Sequence, residues 1–379
     1  MKKIGLYIHV PFCVRKCYYC DFVSFPHHGD KVRAYLAGLE RELELYHHLL
    51  TTVKISTIYL GGGTPSCLSP AELAVLFALL DRHIKREHCL EMTMECNPGT
   101  ISRAKLQAMK AVGVNRVSLG VQALQDEHLA RLGRTHKLAE VYQSYEMIRR
   151  AGFKNVNIDL MFALPYQTLK EWETTLTGIM DLEPEHISLY NLVFEKGTQF
   201  YHWQRDKRLP PIDEELDLAM YQLALDLLPL AGYRQYEISS FAPRGLECRH
   251  NLTYWYNEPY LGLGPGAHSS SGKVRWANAG SLEEYLAALQ GGRKPVVERE
   301  ELSVELQRAE TIILGLRLKE GLGRQSFRER FQGDICSIYA KSMAKLQGQG
   351  LLKVTPRRVS LTAKGLLFAN QVFLEFLPG

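Results

Sequence analysis

Residues 6–20 read LYIHVPFCVRKCYYC, and this stretch decides the fold of the first half of the chain. Its first five residues are mostly β-branched or aromatic, which favours a strand. Pro11 ends that strand, and Cys13, Cys17 and Cys20 then follow within eight residues. Three cysteines spaced so closely after a strand predict a metal or cluster loop rather than a set of disulfides.

Strand-like and helix-like segments alternate from this loop to about residue 192. The pattern predicts six strands at 6–10, 57–60, 91–95, 116–121, 155–160 and 187–192, with helices at about 31–50, 70–84, 102–112, 137–151 and 169–181. Repeated alternation of this kind is typical of a parallel sheet with crossover helices. A complete (β/α)8 barrel needs about 250 residues, so six units predict an α/β fold with a partial (β/α)6, TIM-like barrel.

The chain changes character after about residue 200. Residues 213–231 predict one helix, and a segment rich in glycine, proline and aromatic residues follows up to 276. From about 300 the pattern is mostly helical, with a short hairpin at the end, as in a winged helix. We expect a barrel with the cysteine loop at 1–200, a barrel extension and linking region at 201–295, and a winged-helix-like domain at 296–379.

The clustered cysteines favour an iron–sulfur cluster over a zinc ion. A structural zinc ion takes four protein ligands, and only His9, on a predicted strand, offers a fourth. Three thiolates on a four-iron cluster leave one iron open to the amine and carboxylate of a small molecule. S-adenosylmethionine carries both groups, and one electron from a reduced cluster can cleave its sulfonium C–S bond to a 5′-deoxyadenosyl radical.

The segments around the cysteines resemble those of a known family. Residues 7–20, with the spacing Cys-x3-Cys-x2-Cys, are similar to the signature of radical S-adenosylmethionine (radical SAM) enzymes. The segments GGGTP (61–65), GVQ (120–122), NIDL (157–160) and GPGAHS (264–269) follow, as in the coproporphyrinogen-dehydrogenase-like branch. The resemblance runs through nearly the whole chain and is specific, because several independent motifs occur in the same order.

The resemblance implies two adjoining sites. Cys13, Cys17 and Cys20 would ligate a [4Fe-4S] cluster. S-adenosylmethionine would contact Tyr7, Tyr19, Gly62, Gly63, Thr64, Glu95, Gln122, Arg134 and Asp159. Arg134 suits the cofactor's carboxylate, because a guanidinium group can pair with it through two hydrogen bonds. Taken alone, the GGGTP segment would predict only a turn.

Two activities are known within this branch, and the sequence distinguishes them. One is oxygen-independent coproporphyrinogen III oxidase, which decarboxylates propionates to vinyl groups. The other is a heme chaperone, which binds heme and delivers it to heme proteins. The oxidases have a fourth cysteine two residues after the third, where this chain has Phe22, and a longer arm than the twelve residues that precede Cys13. Both differences favour the chaperone.

A further motif supports the same choice. Residues 250–255, HNLTYW, resemble the HNxxYW motif that the heme chaperones use for heme, which implies roles for His250, Asn251, Tyr254 and Trp255. Histidine is a common axial ligand of heme iron, and aromatic rings offer flat faces to a porphyrin. The residues alone also allow a simpler interpretation, in which buried polar groups satisfy hydrogen bonds. The sequence does not decide whether S-adenosylmethionine is cleaved, and therefore whether the chaperone is also an enzyme.

Composition and charge set the remaining expectations. The chain has 46 Lys and Arg against 41 Asp and Glu, a formal net charge of +5, which is mild for a nucleic-acid binder. Nucleic-acid binding through the basic C-terminal domain is the alternative from another functional class. No apolar run approaches the roughly 20 residues of a membrane helix. We expect a soluble, cytoplasmic protein that binds heme and meets recipient heme proteins, including membrane-bound respiratory enzymes; the resemblance also allows a homodimer.

Overall fold

The computed structural model describes residues 3–378. The strands are β1 (Lys3–Val10), β2 (Phe12–Cys13), β3 (Phe25–Pro26), β4 (Lys54–Gly62), β5 (Glu91–Cys96), β6 (Arg116–Gln122), β7 (Val156–Phe162), β8 (His186–Asn191), β9 (Arg234–Glu237), β10 (Ser240–Ala242), β11 (Tyr260–Leu263), β12 (His268–Ser270), β13 (Val274–Asn278), β14 (Val296–Glu301), β15 (Leu322–Gly323), β16 (Leu352–Val354) and β17 (Arg358–Leu361).

The helices pack around these strands, and those at 126–131, 199–205, 249–255 and 282–290 are not predicted by the sequence pattern. The helices are α1 (Gly29–Leu45), α2 (His47–Thr52), α3 (Pro70–His83), α4 (Arg103–Ala111), α5 (Asp126–Arg131), α6 (Leu138–Arg150), α7 (Leu169–Met180), α8 (Gln199–Arg205), α9 (Glu214–Leu230), α10 (Arg249–Trp255), α11 (Leu282–Gln290), α12 (Val304–Arg317), α13 (Arg324–Phe331), α14 (Ile335–Ile338), α15 (Ala340–Gly348), α16 (Ala363–Leu367) and α17 (Ala369–Leu374). None of the helices within residues 3–378 is long and apolar enough to cross a membrane.

Twelve strands form one sheet, in the order β14-β13-β12-β11-β1-β4-β5-β6-β7-β8-β10-β9. The six predicted strands are β1 and β4 to β8, and they lie side by side, parallel and in chain order, which confirms the partial (β/α)6 barrel. The sheet is wider than the sequence pattern predicts. Strand β11 adds a seventh parallel strand beside β1, and short antiparallel strands extend both edges.

Strand β1 shows how the sequence separates the two faces of the sheet. Leu6, Ile8 and Val10 are fully buried in the main hydrophobic core. Because successive strand residues point to opposite faces, Tyr7 and His9 lie on the other side. On β4, the residues Thr57 and Tyr59 share that second face, in register with Gly5 and Tyr7. The second face therefore carries polar and aromatic side chains, and these form the sites described below.

The C-terminal region has a hydrophobic core of its own, which includes Ile312, Phe327, Val359 and Val372. Its three strands pair in the order β15-β17-β16, and the hairpin of β16 and β17 turns at Pro356 and Arg357. Helices followed by a small hairpin confirm the winged-helix-like pattern. The domain boundaries at residues 200 and 295 stay a prediction.

One buried carboxylate ties helix α1 to the extended edge of the sheet. Glu42 is fully buried and accepts hydrogen bonds from the Gly264 amide (2.8 Å), the Asn278 amide group (2.7 Å) and the Tyr285 hydroxyl (2.8 Å). Burial raises the pKa of Glu42 to about 7, although the three hydrogen bonds act in the opposite direction. The protonated form is therefore favoured in the folded protein relative to the unfolded chain.

Stability should consequently fall as pH rises through the range in which Glu42 ionises. A folded pKa above the unfolded value gives stability that is fully present below the unfolded pKa and is lost as pH rises through the folded pKa. Between pH 5 and pH 8 the loss should be on the order of 2 kcal/mol. Urea unfolding at both pH values should show that the change in unfolding free energy between pH 5 and pH 8 differs from that of the wild type by about this amount in Glu42→Gln, whereas Glu44→Gln, on the exposed side of α1, should behave like the wild type. Identical pH profiles for the two variants would contradict the assignment.

Candidate functional site

The cysteine loop is closed at its base by two short strands. Strand β2 pairs with β3, with Phe12 opposite Phe25 and Cys13 opposite Pro26. Two backbone hydrogen bonds fix the closure, from the Phe25 amide to the Pro11 carbonyl (2.7 Å) and from the His27 amide to the Cys13 carbonyl (2.9 Å). The loop therefore starts and ends at the carboxyl end of β1.

The three cysteines lie close together, and each is half-buried and free of disulfide bonds. The Thr64 hydroxyl donates a hydrogen bond to Cys13 Sγ (3.5 Å), and Arg134 Nη1 donates one to Cys17 Sγ (3.6 Å). The Cys20 amide donates to the Cys17 carbonyl (3.3 Å). Burial raises the pKa of Cys13, and it raises the pKa of Cys20 to about 11; the neighbouring thiols act in the same direction.

Asn97 connects the two residues that donate hydrogen bonds to Cys13 and Cys17. The sequence pattern does not reveal this role. Its Nδ2 donates to Thr64 Oγ1 (2.8 Å), and its Oδ1 accepts from Arg134 Nη2 (2.7 Å). Thr64 contacts Cys13, and Arg134 contacts Cys17, so one amide holds both in place. Only its position indicated a role at this site. Asn97 directly follows β5, at the same end of the sheet at which the cysteine loop follows β1.

The glycine-rich segment passes so close to β1 that side chains would not fit. Gly62 has φ +107°, a left-handed conformation that favours glycine, and a Cβ there would lie 2.4 Å from the His9 ring. A Cβ on Gly63 would lie 2.6 Å from the Phe12 carbonyl oxygen. The backbone of Gly63 and Thr64 instead donates hydrogen bonds to the Val10 and Phe12 carbonyls (3.0 and 2.7 Å).

Glu95 lies behind this segment. Its carboxylate accepts hydrogen bonds from the Tyr59 hydroxyl (2.8 Å) and the Gly62 amide (3.1 Å). Burial raises the pKa of Glu95 to about 7, against the effect of the Tyr59 hydrogen bond. The Tyr7 ring centroid lies 6.2 Å from that of Tyr59, and the Tyr7 hydroxyl is 3.0 Å from His9 Nδ1. His9 Nε2 is 2.7 Å from the Val23 carbonyl oxygen. Both ring nitrogens of His9 therefore have partners, and His9 is not available as a fourth ligand of a metal ion at the three cysteines.

The remaining predicted cofactor residues lie on the neighbouring strands and in the loop. Gln122 ends β6 with φ 70°, next to a register shift that follows Gly120. The two oxygens of Asp159 accept hydrogen bonds from Ser118 (2.9 Å) and Asn157 (2.8 Å). Tyr19 packs in a small apolar cluster beside the loop, with its hydroxyl near Cys17. Asp159 is in register with Gly120, whose carbonyl accepts a hydrogen bond from Arg134.

These residues fit the cluster and the cofactor that the sequence predicts. Three half-buried thiols lie next to a guanidinium group, which suits the negative charge of a thiolate-bound cluster. The carboxyl end of the sheet adds amide, carboxylate and guanidinium groups of the kinds that bind an amino acid headgroup. No three His, Cys, Asp or Glu side chains within the described residues are arranged around one metal-ion position. A four-iron cluster requires another arrangement, in which each thiolate binds its own iron.

The HNxxYW segment lies at the opposite end of the barrel. Helix α10 begins at Arg249, and the Glu91 carboxylate accepts hydrogen bonds from the amides of Arg249 (3.0 Å) and His250 (2.9 Å). Glu91 is the first residue of β5, so α10 lies across the amino ends of the strands. His250 approaches β1 at Gly5, which is five residues before Val10, or roughly 16 Å along a strand. The sequence pattern does not reveal the role of Glu91.

Both ring nitrogens of His250 are occupied. Nδ1 is 2.9 Å from the Thr57 hydroxyl, Nε2 is 2.8 Å from the Tyr254 hydroxyl, and the side chain is buried. Burial lowers the pKa of His250 to about 3, and the Arg116 charge acts in the same direction. His250 is therefore a neutral imidazole without a free nitrogen in this conformation.

The other residues of the motif face different surroundings. The Tyr254 ring packs edge-on against Tyr260, with the centroids 4.7 Å apart. The Arg317 guanidinium of α12 lies 4.3 Å from the centroid of Trp255, whose indole nitrogen has no hydrogen-bond partner within the described residues. Asn251 is half-buried on α10. The motif is thus enclosed between the barrel and the C-terminal region.

Comparisons with known proteins agree with this architecture. Residues 7–177 match the radical SAM superfamily, and residues 302–368 match the HemN C-terminal domain. A Bacillus subtilis protein named heme chaperone HemW is 38% identical over 372 residues, or 98% of this chain and 98% of that protein. A Lactococcus lactis protein of the same name is 37% identical over 378 residues, or 99% of this chain and 98% of that protein.

A solved structure shares the fold. Escherichia coli coproporphyrinogen III oxidase (HemN), described as a radical SAM enzyme, superposes with a TM-score of 0.87 at 24% identity, covering 99% of this chain and 90% of that one. The chain belongs to the radical SAM superfamily and, within it, to the HemW family. Radical SAM proteins carry a [4Fe-4S] cluster and S-adenosylmethionine, so membership implies both cofactors.

The cysteine loop gives a direct prediction. Replacing Cys13, Cys17 and Cys20 together with alanine should reduce iron and sulfide after anaerobic reconstitution to background, because the loop then offers no thiolate. The matched control replaces Cys89 and Cys336, which lie away from the loop, and should retain both elements. Circular dichroism should show that both proteins are folded. Undiminished iron and sulfide in the triple variant would place the cluster elsewhere.

Proposed function

We propose that the protein binds heme and delivers it to heme proteins, and that it carries a [4Fe-4S] cluster and S-adenosylmethionine while doing so. The observation that supports this most strongly is similarity over nearly the full length to two proteins named heme chaperone. The conclusion also agrees with the HNxxYW motif. The alternatives of coproporphyrinogen oxidation and nucleic-acid binding are not favoured.

At the carboxyl end of the barrel, Cys13, Cys17 and Cys20 would hold the cluster. When bound, the cluster and S-adenosylmethionine supply reducing and radical-forming chemistry. Asn97 would keep Thr64 and Arg134 in position, so that Arg134 can meet a carboxylate while it stays beside Cys17. The further contacts proposed for S-adenosylmethionine are Tyr7, Tyr19, Gly62, Gly63, Glu95, Gln122 and Asp159.

At the amino end, His250 is the proposed iron ligand, but it can bind iron only after α10 moves. A heme iron requires a nitrogen lone pair, and Thr57 and Tyr254 occupy both nitrogens. Opening breaks two buried hydrogen bonds, each worth about 0.5–1.5 kcal/mol. The same movement would free Tyr254 and Trp255 to stack against the porphyrin, with Asn251 beside them. Heme release to a recipient would then accompany the return of His250 to its buried partners.

Phe22 distinguishes this loop from that of the oxidases. It occupies the position of their fourth cysteine, and its side chain is 62% exposed. A phenylalanine at this position supplies no thiol, in agreement with the difference from the oxidases. The recipient proteins, among them membrane-bound respiratory enzymes, a homodimeric state and a cytoplasmic location stay predictions.

Heme titration of the cluster-reconstituted protein under anaerobic conditions tests the proposal. Soret absorbance should show saturable binding, and His250→Ala should weaken it by at least about tenfold, the equivalent of about 1.4 kcal/mol. The control His47→Ala changes an exposed histidine on α2 and should bind like the wild type. Absence of saturable binding by the wild type would refute the chaperone function. Equal binding by wild type and His250→Ala would keep the function but exclude His250 as the ligand.

A further inference from the structure

Tyr59, on β4, contacts a residue of each proposed site. Its hydroxyl donates a hydrogen bond to Glu95 Oε1 (2.8 Å), and Glu95 is among the residues proposed to contact S-adenosylmethionine. Its ring lies beside the His250 ring, with the centroids 5.2 Å apart and the planes 30° from parallel. Thr57, two residues earlier on the same face of β4, has its hydroxyl 2.9 Å from His250 Nδ1. A single side chain therefore connects Glu95 to His250.

The hydroxyl end of Tyr59 is held in a defined direction. Burial raises the pKa of Tyr59 well above its ordinary value, and the Glu95 charge acts in the same direction, so the hydroxyl keeps its proton and donates. The other oxygen of Glu95 accepts a hydrogen bond from the Gly62 amide (3.1 Å). Glu95 thus offers one oxygen to Tyr59 and the other to the glycine-rich segment, where the cofactor is proposed to bind.

The contact between Tyr59 and Glu95 depends on the absence of a side chain at Gly61. A Cβ on Gly61 would lie 2.8 Å from the Tyr59 ring and 2.9 Å from the Glu95 carboxyl carbon. Both separations are shorter than van der Waals contact, so Tyr59 or Glu95 would have to move. The next two glycines make room for β1 and the loop, whereas the first glycine of the GGGTP segment makes room for this contact inside the barrel.

We propose that Tyr59 is a positioning residue that couples cofactor binding at Glu95 to the release of His250 from its buried partners. A carboxylate that gains a further donor shares its charge among more hydrogen bonds, so the bond from Tyr59 weakens when the cofactor donates to Glu95. The Tyr59 ring is then held less firmly against His250, and α10 opens at a lower cost. The inference rests on the proposed function, because it takes Glu95 as a contact of S-adenosylmethionine and His250 as the ligand of heme.

Coupling between two sites is reciprocal, so each ligand should raise the affinity of the protein for the other by the same factor. The experiment uses the cluster-reconstituted protein under anaerobic conditions, with the cluster left unreduced so that the cofactor stays intact. S-adenosylmethionine should lower the Kd of heme, followed by Soret absorbance, about threefold to tenfold, the effect of one hydrogen bond. Saturating heme should lower the Kd of S-adenosylmethionine, measured by calorimetry, by the same factor.

Three variants test whether Tyr59 carries this coupling. Tyr59→Phe keeps the ring and removes the hydroxyl, so without cofactor it should bind heme as the wild type does with cofactor, and the factor should fall to one. Thr57→Val removes the other contact of β4 with His250 and should strengthen heme binding while the factor remains. Tyr142→Phe changes an exposed tyrosine on α6 and should behave like the wild type. A factor that persists in Tyr59→Phe would overturn the role of Tyr59.

Amide hydrogen exchange of residues 249–255 without heme separates this inference from the proposed function. S-adenosylmethionine alone should speed the exchange of α10 in the wild type but not in Tyr59→Phe, because exchange reports local opening. If the cofactor binds but changes neither this exchange nor the Kd of heme, the coupling is overturned, while heme binding that depends on His250 would still support the chaperone. If the cofactor speeds the exchange but no heme binds, the proposed function is refuted and the link from Tyr59 to His250 is supported.

Discussion

The parallel direction of β1 and β4 to β8 is the constraint on which the rest of the structure depends. Because these strands run the same way, everything that follows a strand in sequence meets at one end of the barrel. The cysteine loop leaves β1 there, the glycine-rich segment leaves β4, and Asn97 leaves β5. Residues far apart in the chain thereby form one site, in which Asn97 connects the environment of Cys13 to that of Cys17.

The amino ends of the same strands form a second and different environment. Glu91 starts β5 and accepts the first amides of α10, so the helix that carries His250 is anchored to the sheet. The free amides at a helix N-terminus favour a carboxylate partner. Arg317 reaches the Trp255 ring from α12, so the C-terminal region covers α10 from outside. The HNxxYW segment is therefore enclosed at the amino ends of the strands, and Tyr59 lies between it and the cysteine end, because its ring is 5.2 Å from that of His250 and its hydroxyl donates to Glu95.

Local sequence patterns could predict the strands and the cysteine loop, but not how distant segments meet. The six parallel strands were predictable because each is short, apolar and bounded by turn residues. The pairing of β11 with β1 was not predictable. The two strands are about 250 positions apart in the chain, and only four residues of each form the pairing. Asn97 and Glu91 act through contacts with other elements, so their residue types alone carried no signal. The HNxxYW motif pointed to His250, but its enclosure depends on Thr57, Tyr254 and the C-terminal region, which no local pattern reveals.

If His250 ligates heme iron as proposed, it must first leave Thr57 and Tyr254, which occupy both of its ring nitrogens. Amide hydrogen exchange of residues 249–255, measured with and without saturating heme, tests this most directly, because exchange reports local opening. Exchange of α10 should be faster in the heme-bound protein, whereas the protection of β1 should stay unchanged. Heme should have no such effect in His250→Ala. Heme binding that depends on His250 but leaves α10 fully protected would show that the helix does not open for heme.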